Sequence, residues 1–187
     1  MISPNQPQVK EGNPMARRFI KKVCMLGDPG VGKTSLIRRF VYDEFEDEYL
    51  ETIGTKITRK EVNVKKGSEE ALVVLMIWDI VGHKSPKAVP ASYYAGAEGV
   101  LVVCDLTRKE TYEELDYWVD LLTAMHENIP IIFLGNKVDL KESRQITDEM
   151  MQKLAISRDR KYFYTSAKSG ESVEMAFNEM AQMITSL

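Results

Sequence analysis

Histidine and cysteine are scarce in this chain. Of its 187 residues only His83 and His126 are histidines, and only Cys24 and Cys104 are cysteines. Each cysteine lies inside an apolar run, so neither a disulfide framework nor a Cys/His metal site is expected; two free thiols in core strands of a reduced protein are. Long apolar runs are missing as well. None reaches the about 18–20 residues that span a bilayer, and the opening MISPNQPQVKEGNP lacks the apolar stretch of a signal peptide. MITSL offers no C-terminal cysteine and Ile2 is not glycine, so no direct lipid anchor is expected. The expected location is cytoplasmic, with any membrane contact made through a partner. Charge of one sign is not in excess: a net −3 and a pI near 5.6 give no basis for bulk binding to nucleic acid.

What is present is an alternation. Residues 1–17 are polar and hold Pro4, Pro7 and Pro14, which reads as a disordered tail ahead of one domain over 18–187. From Phe19 onward the apolar runs FIKKVCML, ALVVLMIWD, GVLVVCDL, IPIIFLGN and the weaker KYFYTS alternate with helix-period segments after Lys33, Lys109, Asp148 and Ser172. Tyr112, Leu115, Trp118, Val119, Leu122 and Met125 mark one helical face; Val173, Phe177, Met180, Ile184 and Leu187 mark another. The methionines in these faces read as core filler. Ile57, Val62 and Val64, followed by KKGSEE, suggest a more polar strand and a hairpin. The order predicts an α/β fold: a mostly parallel sheet with one antiparallel edge strand and helices on both faces.

Two motifs carry chemistry. GDPGVGKTS follows a predicted strand and opens a predicted helix, and its Gly27, Gly32, Lys33 and Thr34 fit G-x-x-x-x-G-K-[ST]. Through Asp28, Pro29, Gly30, Val31, Gly32 and on to Ser35, backbone N–H groups can converge on a phosphate at the helix N-terminus. Lys33 can reach the β- and γ-phosphates, and the Thr34 hydroxyl can ligate Mg²⁺. Pro29 removes one N–H from this loop. Either that N–H is not needed, or the ring alters the room beside the γ-phosphate. The second motif is GNKVD, placed directly after IPIIFLG. Asp139 can accept from the ring N–H and exocyclic amine of guanine, whereas adenine would leave buried polar groups unpaired. Asn136 and Lys137 belong to the same turn, and Ser166, Ala167 and Lys168 of TSAKSG could close the far side of the base.

With GDPGVGKT, ETIGT, WDIVG, GNKVD and TSAK in this order and spacing, the chain resembles the Ras superfamily of small GTPases, most closely the Rab-like branch, from about Phe19 to its end. YYAGAEGVLVVCDLT fits too, with Ala95 where the family usually has arginine. The resemblance implies a P-loop NTPase fold of six strands and five helices. It also implies GTP/GDP and Mg²⁺ as ligands, and effector, exchange-factor and GTPase-activating partners at two switch segments. By position, Thr52 resembles the threonine that meets Mg²⁺ and the γ-phosphate. Phe45 resembles the aromatic on guanine and Tyr49 the tyrosine over the phosphates. Asp79 resembles the residue that holds Mg²⁺ through water, and Gly82 the glycine whose N–H meets the γ-phosphate. A monomer that hydrolyses slowly and switches partner affinity is expected; the alternative is a GTP-binding scaffold that does not cycle.

The departures cluster after Gly82. The family's glutamine is His83 here, its acidic neighbour is Lys84, and Pro86 and Pro90 fall where a short helix is common, so an extended or kinked segment is expected. His83 is a weak stand-in for glutamine, a working water-orienting group as in translational GTPases, or a bystander. A neutral imidazole has the donor and acceptor needed to orient water. The stretch DEFEDEYLET carries six acidic residues in ten and reads either as a solvated loop or as a docking surface for a basic partner. It holds no arginine, so an arginine finger in cis would have to come from elsewhere.

Overall fold

A computed structural model describes residues 17–46, 52, 54–66, 69–82 and 89–185. Tyr49, His83, Lys84, Pro86, Leu187 and the polar tail through residue 16 lie outside them, so the expectations placed on those positions have no structural counterpart here. Six strands form one sheet in the order β2-β3-β1-β4-β5-β6. They are β1 (Arg17–Leu26), β2 (Thr55–Lys66), β3 (Glu69–Ile80), β4 (Gly99–Asp105), β5 (Ile131–Asn136) and β6 (Lys161–Thr165). Only β2, at the edge, runs antiparallel to its neighbour; the other pairings are parallel.

The apolar runs are central because both of their faces are covered. In β1, Val23 and Met25 point to one side and Cys24 and Leu26 to the other; β4 and β5 divide in the same way, as the two-residue period of a strand requires. Helices α1 (Lys33–Tyr42) and α6 (Val173–Thr185) cover the first face, where Phe40 and Phe177 stack with ring centres 4.2 Å apart. The second face takes α2 (Ala91–Tyr94), α3 (Lys109–Glu113), α4 (Leu115–Met125) and α5 (Asp148–Arg158). Glu114, between α3 and α4, keeps helical dihedrals, so the two form one interrupted helix and the expected five helices are recovered. Both cysteines are buried free thiols, pushed up to about 12 by burial and so inert as nucleophiles. Among the described residues, no helix is long and apolar enough to cross a membrane.

Pro90 is extended, as expected of it, and stands immediately before α2, where its carbonyl accepts from Tyr93 N at 3.0 Å. A proline costs little there, because the N–H groups of a first turn have no acceptor inside the helix. Met125 is exposed instead of core, since α4 ends on it. The expected strand and hairpin are present, and within β2 Ile57 lies on the opposite face from Val62 and Val64. Strand parity puts Thr58 on their buried side and leaves Ile57 exposed.

Candidate functional site

The carboxyl ends of β1, β3, β5 and β6 meet at one cavity of about 330 Å³, the position at which open α/β sheets bind ligands. Its lining includes Pro29, Gly30, Gly32, Lys33, Thr34 and Ser35 at one end, and Phe45, Asp139 and Lys168 at the other.

The loop between β1 and α1 wraps around Lys33. This side chain is buried, and its Nζ donates to Gly27 O and Asp28 O, each at 2.8 Å. Burial pulls the ammonium down to about 8, against the opposing pull of Asp79 and Asp28. Thr34 Oγ1 donates to Asp79 Oδ2 at 2.6 Å and lies 2.6 Å from Thr52 Oγ1. Burial raises the Asp79 carboxyl, while the Thr34 hydrogen bond and Lys33 draw it back. Its second oxygen, Oδ1, is buried without a protein partner. Two hydroxyls and a carboxylate with one oxygen unsatisfied make a hard, all-oxygen donor set, and this suits Mg²⁺. Among the described residues no three His, Cys, Asp or Glu side chains cluster to hold a metal.

Gly82 stands against the phosphate loop. A Cβ there would lie 2.6 Å from Pro29 Cα and 2.7 Å from Asp28 O, so only glycine allows this approach. Just before it, Val81 N donates to Gly54 O at 3.2 Å, joining the segments on either side of the β2–β3 hairpin.

At the other end, Phe45 faces Lys168, whose Nζ is 6.0 Å from the ring centre, and Asp139 is exposed on the cavity wall. Two residues of the base-side set serve as fasteners. Asn136 is buried; its Nδ2 donates to Val31 O at 2.8 Å, and its Oδ1 accepts from Ala167 N and Thr165 Oγ1, each at 3.3 Å. It ties the phosphate loop to the loop after β6. The Ser166 hydroxyl does not face the cavity and instead accepts from Ser169 N at 3.0 Å.

Four residues join the site from outside the motifs. Arg39 on α1 donates to Ala167 O and Lys168 O, both at 2.8 Å, and so holds the base-side loop. Arg38 lines the cavity and pairs with Glu46 and Glu44. The acidic stretch therefore has cationic partners within the chain, Asp43 on Arg39 included, beyond the solvated-loop and partner-docking alternatives. Asp105, ending β4, receives Lys137 Nζ at 2.7 Å and Arg108 Nε at 3.1 Å.

A model of the Ras family matches residues 22–186. The chain is 35% identical over 167 residues to Ras-related protein Rab-13 of Mesocricetus auratus, covering 87% of this chain and 79% of that one. It is 36% identical over 167 residues to Ras-related protein RABA1g of Arabidopsis thaliana, covering 89% and 75% respectively. Rab-13 of Bos taurus gives the same 35% over 167 residues.

Proposed function

The chain belongs to the Ras family of small GTP-binding proteins, and from that premise we propose that it hydrolyses GTP slowly and changes its affinity for effectors as it does so. The observation that carries this reading is a single cavity with Lys33, Thr34 and Thr52 at one end, Asp79 bonded to Thr34 behind them, and Phe45, Asp139 and Lys168 at the other end. In the proposed complex Lys33 lies along the β- and γ-phosphates, where its ammonium offsets their charge. The carboxylate of Asp139 accepts from the guanine edge. Phe45 and the stem of Lys168 cover the base on two sides. Thr34, Thr52 and Asp79 would hold Mg²⁺, which when bound screens the phosphate charge as a Lewis acid. Gly82 presents its backbone N–H beside Pro29, and His83 follows it as the candidate group for orienting water. Exchange and activating proteins would act on the segments around Thr52 and Gly82, whose order depends on what those residues touch.

The slow rate follows from the lack of a glutamine after Gly82 and of an arginine in the acidic stretch. Unassisted members of this class turn over at about 10⁻⁴–10⁻³ per second, and an activator adds about 10⁵-fold. The test is phosphate release from GTP-loaded protein with and without Mg²⁺, in the wild type, His83→Ala and His83→Gln. Mg²⁺-dependent release over hours is expected, slowed in His83→Ala. Tight GTP retention with no release would leave the non-cycling scaffold as the better reading. Wild-type release in His83→Ala would remove His83 from the chemistry.

Two further outcomes arise at this site. Asp139→Asn is expected to weaken guanine nucleotide binding by roughly a hundredfold and to relax the choice of purine, from the loss of two hydrogen bonds to a charged acceptor. Competition among GDP, IDP and ADP reads this, and unchanged selectivity would refute it. Chelating Mg²⁺ with EDTA is expected to speed GDP release by on the order of tenfold or more, since Asp79, Thr34 and Thr52 then face the phosphates without a cation between them. A fluorescent-GDP chase measures it, and an EDTA-insensitive rate would exclude a metal at these residues.

A further inference from the structure

Asp105 closes β4 with a carboxylate that is 1% exposed. Besides Lys137 and Arg108, it accepts from Thr107 N at 2.9 Å and Thr107 Oγ1 at 2.7 Å. Burial alone would push this carboxyl up, but the Lys137 and Thr107 hydrogen bonds prevail and hold it below the usual range. It is therefore a fixed anion on which two cations are seated. Lys137, one of them, comes from the base-side loop. The other, Arg108, uses Nε for Asp105 and sends Nη2 to Pro29 O at 2.9 Å. Pro29 has no N–H, so its carbonyl is the only polar backbone group by which that residue can be held. On its other side Pro29 is in close contact with Gly82. A continuous chain of contacts thus runs Lys137–Asp105–Arg108–Pro29–Gly82, from the base end of the cavity to the phosphate end.

We propose that Arg108 is a positioning residue for the third phosphate: its guanidinium braces Pro29, and with it the wall on which Gly82 rests, against the carboxylate that seats Lys137. The proposal rests on the guanine-nucleotide reading above. Its geometry asks for a fork. Two acceptors are reached from two different nitrogens of one rigid plane, and a lysine ammonium at the end of a shorter, flexible stem does not reproduce that span. The brace acts where Gly82 meets Pro29, so its loss is felt by a triphosphate more than by a diphosphate.

The 187-residue chain and its Arg108→Ala and Arg108→Lys variants are loaded with fluorescent GDP or with a fluorescent non-hydrolysable GTP analogue. Release is chased with excess unlabelled nucleotide in Mg²⁺, and melting of the GDP-loaded proteins is followed in parallel. Arg108→Ala is expected to speed release of the triphosphate analogue about tenfold and of GDP less than about threefold, the loss of one charge-assisted hydrogen bond. Arg108→Lys is expected to behave like Arg108→Ala, and it decides alone if the alanine variant does not fold. Release of both nucleotides faster by the same factor would show a merely structural role and overturn the proposal, as would wild-type release or rescue by lysine. A wild-type chain that retains neither nucleotide sinks the nucleotide reading and the brace with it. A normal wild type with an unaltered triphosphate-to-diphosphate ratio in the variants sinks the brace alone.

Discussion

Gly27→Ala is expected to cost about 3–5 kcal/mol of folding stability, the sum of a strained backbone and a collision that neither side can relieve. Gly27 follows β1 at φ +134°, a conformation that L side chains rarely adopt. A Cβ there would lie 2.3 Å from Val103 O, a main-chain atom in the middle of buried β4 that cannot move without breaking the sheet. With total stabilities of about 5–15 kcal/mol for domains of this kind, such a loss leaves a marginal protein. Urea denaturation of the two forms measures it, and a midpoint within experimental error of the wild type would refute it. Gly96→Ala is the control. Gly96 also has positive φ, +69°, but nothing lies within 4 Å of its added Cβ, so only the backbone cost of about 1 kcal/mol is expected.

Lys33→Ala is expected to lower guanine nucleotide affinity by at least about a hundredfold, because truncating one partner of a buried charged contact costs about 2–5 kcal/mol. The Lys33 ammonium is pre-placed by Gly27 O and Asp28 O, so it reaches a phosphate without first being ordered. Little folding stability should be lost with it, since burial penalises this charge in the folded chain, as its depressed pKa shows. Titration of labelled GDP reads the affinity, and melting with and without GDP separates binding from folding, because a ligand raises the melting temperature only of a chain that binds it. An affinity within threefold of the wild type would refute the role given to Lys33.

The fold was legible because its strands are buried on both faces and so appear as unbroken apolar runs, and because GDPGVGKTS and GNKVD carry their strand context with them. The strand β2 was harder. An edge strand has one wet side, and only its pairing with β3 shows that Thr58 belongs with Val62 and Val64. The fasteners were hidden by distance along the chain. Arg39 reaches Ala167 across 128 positions and Arg108 reaches Pro29 across 79, and neither separation leaves a local pattern. Asp105 did leave one. GVLVVCD, like ALVVLMIWD, is an apolar run that ends on aspartate at the mouth of the sheet. Asn136 lines the cavity and also ties its loops together, and the Ser166 hydroxyl accepts from Ser169 N.

The hydrogen bond from Val81 N to Gly54 O makes one amide proton a witness to both loops. Its acceptor stands two residues after Thr52 and its donor one residue before Gly82, beyond the last ladder pair of β2 and β3, Thr55 with Ile80. Neither segment can draw away without baring that proton to solvent. In a deuterium-exchange experiment, the Val81 amide therefore records the state of the hairpin's mouth from inside the backbone, with no label attached to the surface where partners would bind.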